Sequence, residues 1–260
     1  MTRTDLADSP RTRTALRRTA FLAGALYLLT FASSIPAVLV LDPILNDPGY
    51  VLGAGPDTQV IWGAVLDIIN ALACIGTAVV LYPVVKRQSQ ALALGFVASR
   101  VLEAAILLTG VLSLLAVVTL RQDLAGTAGT DADSLVTVAA GLVAVRDWAF
   151  LIGTSLAAPN ALLLGTLMYR SRLVPRAIPL MGLVGAPLLL ISNGLTMFGL
   201  NDQFSALSAI TLPGIFFWEL SLGLYLMVKG FRPSAITADV LGQGDRPSTT
   251  AVPATAAVTR

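Results

Sequence analysis

Long stretches of this chain hold no Asp, Glu, Lys or Arg: Thr19–Leu41, Ile68–Val85, Ala104–Leu120, Trp148–Tyr169 and Ala177–Asn201. A helix needs about 20 apolar residues to cross roughly 30 Å of hydrocarbon. Allowing isolated internal charges, the pattern predicts six spans, at 20–41, 58–85, 91–120, 141–169, 177–199 and 205–228. The first covers 22 residues, or roughly 33 Å at about 1.5 Å per residue. The second and third run long, so they should tilt or protrude. The fold class is therefore all-α, a polytopic transmembrane helical bundle.

Composition agrees. Of 260 residues, 55% are hydrophobic and only 12% charged, with a mean hydropathy of +0.79. A soluble domain carries roughly 25% charge. Histidine is absent, which removes imidazole metal ligands, His-ligated haem, Ser–His and Cys–His nucleophile pairs and His proton relays. The single cysteine, Cys74, sits in an apolar run and reads as packing rather than redox chemistry. No metal site and no cofactor is expected. The basic residues come in short clusters between apolar runs, not in the stripe of a nucleic-acid protein, so no nucleic-acid partner is expected. The expected partner is the lipid bilayer, with a small molecule or ion as ligand; oligomeric state is left open.

Between the spans lies loop chemistry. Asp42–Asp57 reads DPILNDPGYVLGAGPD, with three Pro and three Gly, residues that remove donors and permit turns. Its Tyr50, Val51 and Leu52 suit a lid dipping into the bundle mouth, against the plainer reading of a surface loop. Domain organisation follows: 1–18 an amino terminus largely disordered, 19–230 the membrane domain, and 231–260 a disordered tail rich in Pro, Ser, Thr and Ala. Topology comes from the positive charges. The amino terminus, the 86–87 loop, the 170–176 loop and the carboxyl tail together hold 14 of the 17 Lys and Arg, while the opposite loops hold Arg121 beside seven Asp. Both termini are thus expected on the cytoplasmic side of a bacterial inner membrane. Arg17 and Arg18 before an apolar run also fit a signal peptide. But the run exceeds the usual core of about 7–15 residues and ends in no small-x-small site, so an uncleaved first helix is expected.

Several segments, taken as a set, resemble the bacterial membrane family called domain of unknown function 4386. They are Tyr27–Pro36, Gly63–Val84, Gly95–Ala104, Asn160–Leu173, Pro179–Leu190 and Trp218–Phe231, and the likeness covers roughly residues 20–232. The resemblance implies a multi-pass integral membrane protein and supplies no catalytic residues to carry over. In the family the acid of span two is often Glu where this chain has Asp67, and the stretch before Asn160 is often richer in Gly and Pro than GTSLAAP here.

Six ionisable residues fall inside the proposed spans: Asp67, Arg100, Glu103, Arg146, Asp147 and Glu219. Each charge at the bilayer centre costs about 2.5–3.5 kcal/mol on insertion scales, so they should face inward and pair. Asp67 lies roughly 14 Å from the outer end of its span, Arg100 roughly 14 Å and Glu219 roughly 15 Å from the inner end of theirs, all near the midplane. Arg146 and Asp147 fall near the outer mouth and read as a pair there. Arg100 and Glu103 share a face at i, i+3. Asp67, Asn70, Cys74 and Thr77 form a polar stripe on span two, expected to face Arg100. Since one Arg can take two carboxylates, the expected network is Asp67–Arg100–Glu103. Glu219 is then left without a cation, and protonation is one way to hold it. Asp67, Asn70, Arg100, Glu103 and Glu219 are the candidate intramembrane cluster, read either as a ligand or ion site or as glue between helices.

Weaker signals carry double readings. Trp62, Trp148 and Trp218 each neighbour a membrane acid, which suits a hairpin repeat or cavity walls, yet interfacial anchoring explains Trp62 and Trp148 as well. Pro36, Pro159, Pro187 and Pro213 can kink their spans, as in the broken helices of transporters, but proline is also commoner in membrane helices generally. Gly95-x-x-x-Ser99 and Gly182-x-x-x-Ala186 suit close packing, and Ser33, Ser34, Ser192, Asn193 and Thr196 suit bonds across helices. Three function classes remain: a carrier or ligand-binding bundle, a structural or partner-binding membrane protein, and an intramembrane enzyme. The last ranks lowest, because HExxH, GxSxG and any acidic metal spacing are missing.

Overall fold

A computed structural model of the chain describes residues 10–47, 49–53, 57–124, 132–202 and 205–237. The described residues form seven helices: α1 (Pro10–Leu45), α2 (Asp57–Val85), α3 (Gln90–Leu124), α4 (Ala132–Ser155), α5 (Ala157–Ser171), α6 (Ala177–Met197) and α7 (Ala206–Val228). Helices α4 and α5 run end to end as one apolar segment, Ala132–Ser171, so there are six helical segments long and apolar enough to cross a membrane. Exposed Leu39, Leu112, Ile191 and Ile210 on these helices are the outward, lipid-facing side of a polytopic bundle.

The six spans close into a ring. Helix α1 packs on α2 and α7, α2 on α3, α3 on both α4 and α5, α5 on α6, and α6 on α7. Small residues set the tightest of these approaches, as expected where lipid provides no hydrophobic drive between helices. A Cβ on Gly185 would lie 2.8 Å from the Gly214 carbonyl carbon, and one on Gly182 would lie 2.7 Å from the Trp218 ring. Gly182-x-x-x-Ala186 thus meets α7 as the spacing suggests, with Trp218 wholly buried in the notch while Trp62 and Trp148 stay exposed. Trp218 therefore does not share the setting of the other two.

Residues 10–18 differ from the expected disordered terminus: α1 begins at Pro10. Proline suits a first helical turn because its missing N–H would be unpaired there anyway. Arg17 Nη2 then ties the helix to the end of α7, donating to the Val228 carbonyl at 2.7 Å. The first part of the expected disordered tail is also ordered. Arg232 N–H donates to Leu173 O at 2.8 Å, and Ile236 is buried in the main apolar core. Residues 1–9 and 238–260, the rest of both expected disordered regions, lie outside the described residues.

The fourth span breaks at Leu156, three residues before Pro159. Proline has no N–H for the Ser155 carbonyl. Thr154 and Ser155 add to the disruption by bonding back to the Phe150 and Leu151 carbonyls, at 2.8 and 2.6 Å, which bends helices. Pro187 and Pro213 lie inside helices that continue through them, as does Pro83.

Candidate functional site

Arg100 projects from α3 into the ring and is only 2% exposed. Its Nη1 donates to Glu103 Oε2 at 2.9 Å, one helical turn on. Its Nη2 bonds Glu219 of α7 in a short ion pair and the Tyr27 hydroxyl of α1 at 3.3 Å. Cys74 of α2 accepts from Nη1 at 3.6 Å, and the Tyr27 and Phe96 rings flank the guanidinium, 5.4 and 5.8 Å from its carbon. Asn160 of α5 donates from Nδ2 to Glu103 Oε2 at 2.8 Å. Helices α1, α2, α3 and α7 thus meet at one guanidinium, and α5 joins the cluster through Glu103.

The expected Asp67–Arg100 contact is replaced by Glu219–Arg100. The reason is depth. Along α2, Asp67 stands 18 residues above Val85, roughly 27 Å from that end, whereas Arg100 is ten residues above Gln90, roughly 15 Å. Cys74, 11 residues above Val85 or roughly 16 Å, is the member of the α2 stripe level with Arg100. Glu219 is nine residues before Val228, roughly 14 Å from the same end. Asp67 instead faces Arg146 of α4, Oδ2 to Nη2 at 3.9 Å. Arg146 is buried, with its guanidinium over the Phe150 ring at 4.5 Å. It is therefore not paired with Asp147, which is exposed and lines a different cavity. Adjacent helical residues point about 100° apart, so neighbours in sequence do not pair across a helix face.

Between these two ion pairs is a cavity of about 340 Å³. All six spans line it: Phe31 from α1, Asp67, Asn70 and Cys74 from α2, Arg100 and Glu103 from α3, Phe150 from α4 and Ala157 from α5, Leu189 from α6, Phe216 and Glu219 from α7. Every residue of the candidate intramembrane cluster is on its wall. The wall carries one cation, Arg100, and three carboxyl groups, Asp67, Glu103 and Glu219; counting Arg146, which is off the wall but 3.9 Å from Asp67, the ionised groups leave an excess of one carboxylate. Sequence reasoning missed Asn160 and Tyr27. The visible signal was an Asn just after Pro159 in an apolar run, and a Tyr at the depth of Arg100.

A second cluster sits at the end of the bundle that carries the α1–α2 loop. Asp57 Oδ1 forms an ion pair with Arg121 Nη1 at 2.7 Å and accepts from the Tyr50 hydroxyl at 2.9 Å, and Oδ2 accepts from Gln122 at 3.1 Å. Burial and the bond to Asp57 push the Tyr50 hydroxyl up to about 12. Tyr50 and Val51 are buried against the bundle while Leu52 is half exposed, so the loop is folded over this mouth rather than standing off it. Beneath it lies a smaller cavity of about 170 Å³, bounded by Ile44, Tyr50, Val51, Val117 and Asp147.

Of the polar residues expected to bond across helices, Ser192 pairs with Ser208 of α7 at 3.2 Å and Asn193 with Ser155 of α4 at 2.9 Å. Ser33 and Thr196 bond carbonyls of their own helices. Among the described residues, no group of three or more His, Cys, Asp or Glu is arranged to hold a metal ion.

The family model described as Domain of unknown function (DUF4386) matches residues 22–230. The chain belongs to this family. The match runs from α1 through the end of α7, so the DUF4386 unit comprises all six spans and both ionic clusters. No curated protein and no solved structure matches the chain.

Proposed function

We propose that this DUF4386 protein binds, and carries between the two faces of a membrane, a small positively charged ligand in its axial cavity. The observation that carries the reading is the excess carboxylate on a cavity wall shared by all six spans. A pair of opposite charges about 4 Å apart attracts by about 4 kcal/mol at an effective dielectric constant of about 20. A cation entering here shares Glu103 and Glu219 with Arg100, which already bonds both. Phe31, Phe150 and Phe216 border the cavity, and a cation that stacks on an aromatic ring gains about 0.5–2 kcal/mol, as Arg146 does on Phe150. The volume is at the lower end of the range of about 300–1,000 Å³ for small-molecule sites. The membrane is a bacterial inner membrane with both termini on the cytoplasmic side, a topology supported by the clustering of 14 of 17 basic residues at the terminal end of the spans.

The test is uptake of a panel of small organic amines into vesicles holding the purified protein. Uptake is expected to depend on pH and to be lost in Glu219→Gln with the melting temperature close to wild type. Unaltered uptake in that variant, or binding of anions in place of amines, refutes the proposal. Labelling of single cysteines placed in the 86–89 and 46–53 loops checks the topology; terminal-side loops must label from the cytoplasm.

A second reading has its own observation. Arg100 is satisfied by Glu103, Glu219, Tyr27 and Cys74 of the same chain, as glue between helices requires. On that reading the same substitutions change stability while no amine is bound or moved.

A further inference from the structure

At the terminal end of the bundle a cavity of about 420 Å³ opens between α1 and the segment that follows α7. Four cations, Arg13, Arg17, Lys229 and Arg232, line it, and no acidic side chain is among its described lining residues. The carboxylates of the described residues all lie at mid-depth or at the opposite end of the spans. Local structure builds the arrangement. Arg13 and Arg17 are one turn apart on α1 and so share a face. Gly230 takes φ +78°, turning the chain so that Arg232 comes back over the helix ends. The same glycine leaves room for Arg17, whose Nη1 lies 3.0 Å from where a Cβ would stand. Arg17 is held in place through its other nitrogen by the Val228 carbonyl. Arg17 is also shared with a second cleft, lined by Arg18, Phe21 and Leu22, where Phe21 and Leu22 are half exposed on the lipid-facing side of α1.

We infer that this is a binding site for an anionic phospholipid, its phosphodiester headgroup among Arg13, Arg17, Lys229 and Arg232 and an acyl chain along Phe21 and Leu22. The headgroup pocket, basic throughout its described ionisable lining, and the cleft flanked by Phe21 and Leu22 share Arg17, and an apolar flank beside the cations suits a lipid over a free anion. Basic pockets between spanning helices bind such headgroups, and guanidinium groups match phosphate oxygens in geometry as well as in charge. The site is independent of the axial cavity and of what that cavity carries.

The experiment is native mass spectrometry of the full-length protein released from mixed micelles of phosphatidylglycerol and phosphatidylcholine with matched chains. Phosphatidylglycerol is expected to stay bound and phosphatidylcholine to be lost. The exposed pair Lys229→Gln with Arg232→Gln should lower phosphatidylglycerol affinity about 30-fold, taking each basic residue near an anionic lipid as worth about a fivefold factor. Arg170→Gln with Arg172→Gln removes two cations at the same end but outside the pocket and should leave affinity unchanged. Equal retention of both lipids, or an equal loss in the two double variants, overturns the inference. So does inorganic phosphate displacing the lipid and raising the melting temperature unaided, which would make the site one for a free anion. Phe21→Ser with Leu22→Ser provides the remaining arm. Weaker lipid retention with unchanged melting supports the acyl groove, and unchanged retention refutes it.

Discussion

Replacing Arg100 should be far more damaging than replacing either carboxylate that it binds, and the charge count says by how much. Arg100→Gln leaves Glu103 and Glu219 facing one cavity with no cation between them. Removing one partner of a buried ion pair costs about 3–5 kcal/mol. Glu219→Gln has the opposite effect on the count: Arg100 keeps Glu103 at 2.9 Å, and the charges, Arg146 included, balance. The loss is then a charge-assisted bond exchanged for an ordinary one, about 1 kcal/mol. For chains of about 150–250 residues each kcal/mol moves Tm by roughly 2–4 °C. Arg100→Gln should therefore melt roughly 6–20 °C below wild type and Glu219→Gln within roughly 4 °C of it. The double variant restores the wild-type excess of one carboxylate and should recover part of the Arg100→Gln loss. Cys74 is the only cysteine and is buried, so a thiol-reactive fluorogenic dye in detergent reports its exposure on unfolding. Because Cys74 touches Arg100, tryptophan fluorescence from buried Trp218 is the second probe. If the two single variants melt together, or Glu219→Gln is the worse, the assignment of Arg100 as the shared cation is wrong.

Three other outcomes follow from the geometry. Asp67→Asn and Arg146→Gln should couple by more than about 0.5 kcal/mol in a double-mutant cycle, while Asp67→Asn and Arg100→Gln should add; coupling only of the latter pair would reinstate the sequence-based network. Gly185→Ala should cost about 1–3 kcal/mol, since its Cβ would meet Gly214 backbone at 2.8 Å, whereas Gly194→Ala, with nothing within 4 Å, should be neutral or gain about 0.4–1 kcal/mol; chemical unfolding of the pair in one detergent checks both. Tyr50 ionises near pH 12 when folded and near 10 when unfolded, so its neutral form favours the folded state. That stability is fully present below pH 10 and is lost as pH rises towards 12; the absorbance titration of tyrosinate, wild type minus Tyr50→Phe, should show a midpoint above 10.

The spans were legible because hydrocarbon imposes a simple rule on composition, and each apolar segment, isolated internal charges allowed, had to be about a bilayer long. Helix ends were less legible. Composition alone began span one at residue 20, but α1 runs back to Pro10, and Arg17 in that extension bonds a carbonyl on α7, a partner 211 residues away. The break at Leu156 was half visible. Pro159 stood out, as did Pro36, Pro187 and Pro213, and the hydroxyls that bond back before it have counterparts in Thr30 and Ser33 before Pro36, in a helix that continues, so the sequence pattern did not single out the break.

The membership of the charged cluster could be read from sequence, but its pairing could not, and the difference is one of reference frame. Asp67 was measured from one end of its span and Arg100 from the other, so both came out near 14 Å and looked level. Glu219, measured from the same end as Arg100, came out at nearly the same distance, and it is Glu219 that the guanidinium takes. In a bundle of spans unequal in length, α2 with 29 residues and α3 with 35, depth is comparable only when counted from a shared face. The polar stripe on α2 obeys the same rule: Cys74, not Asp67, stands level with Arg100 and touches it. Asp67 sits two turns further towards the other face, where Arg146 is the cation within reach. Two ion pairs at two depths, with a cavity between them, follow from that offset; a single Asp67–Arg100–Glu103 knot would have brought Asp67 down to the guanidinium and filled the space that the wall now encloses.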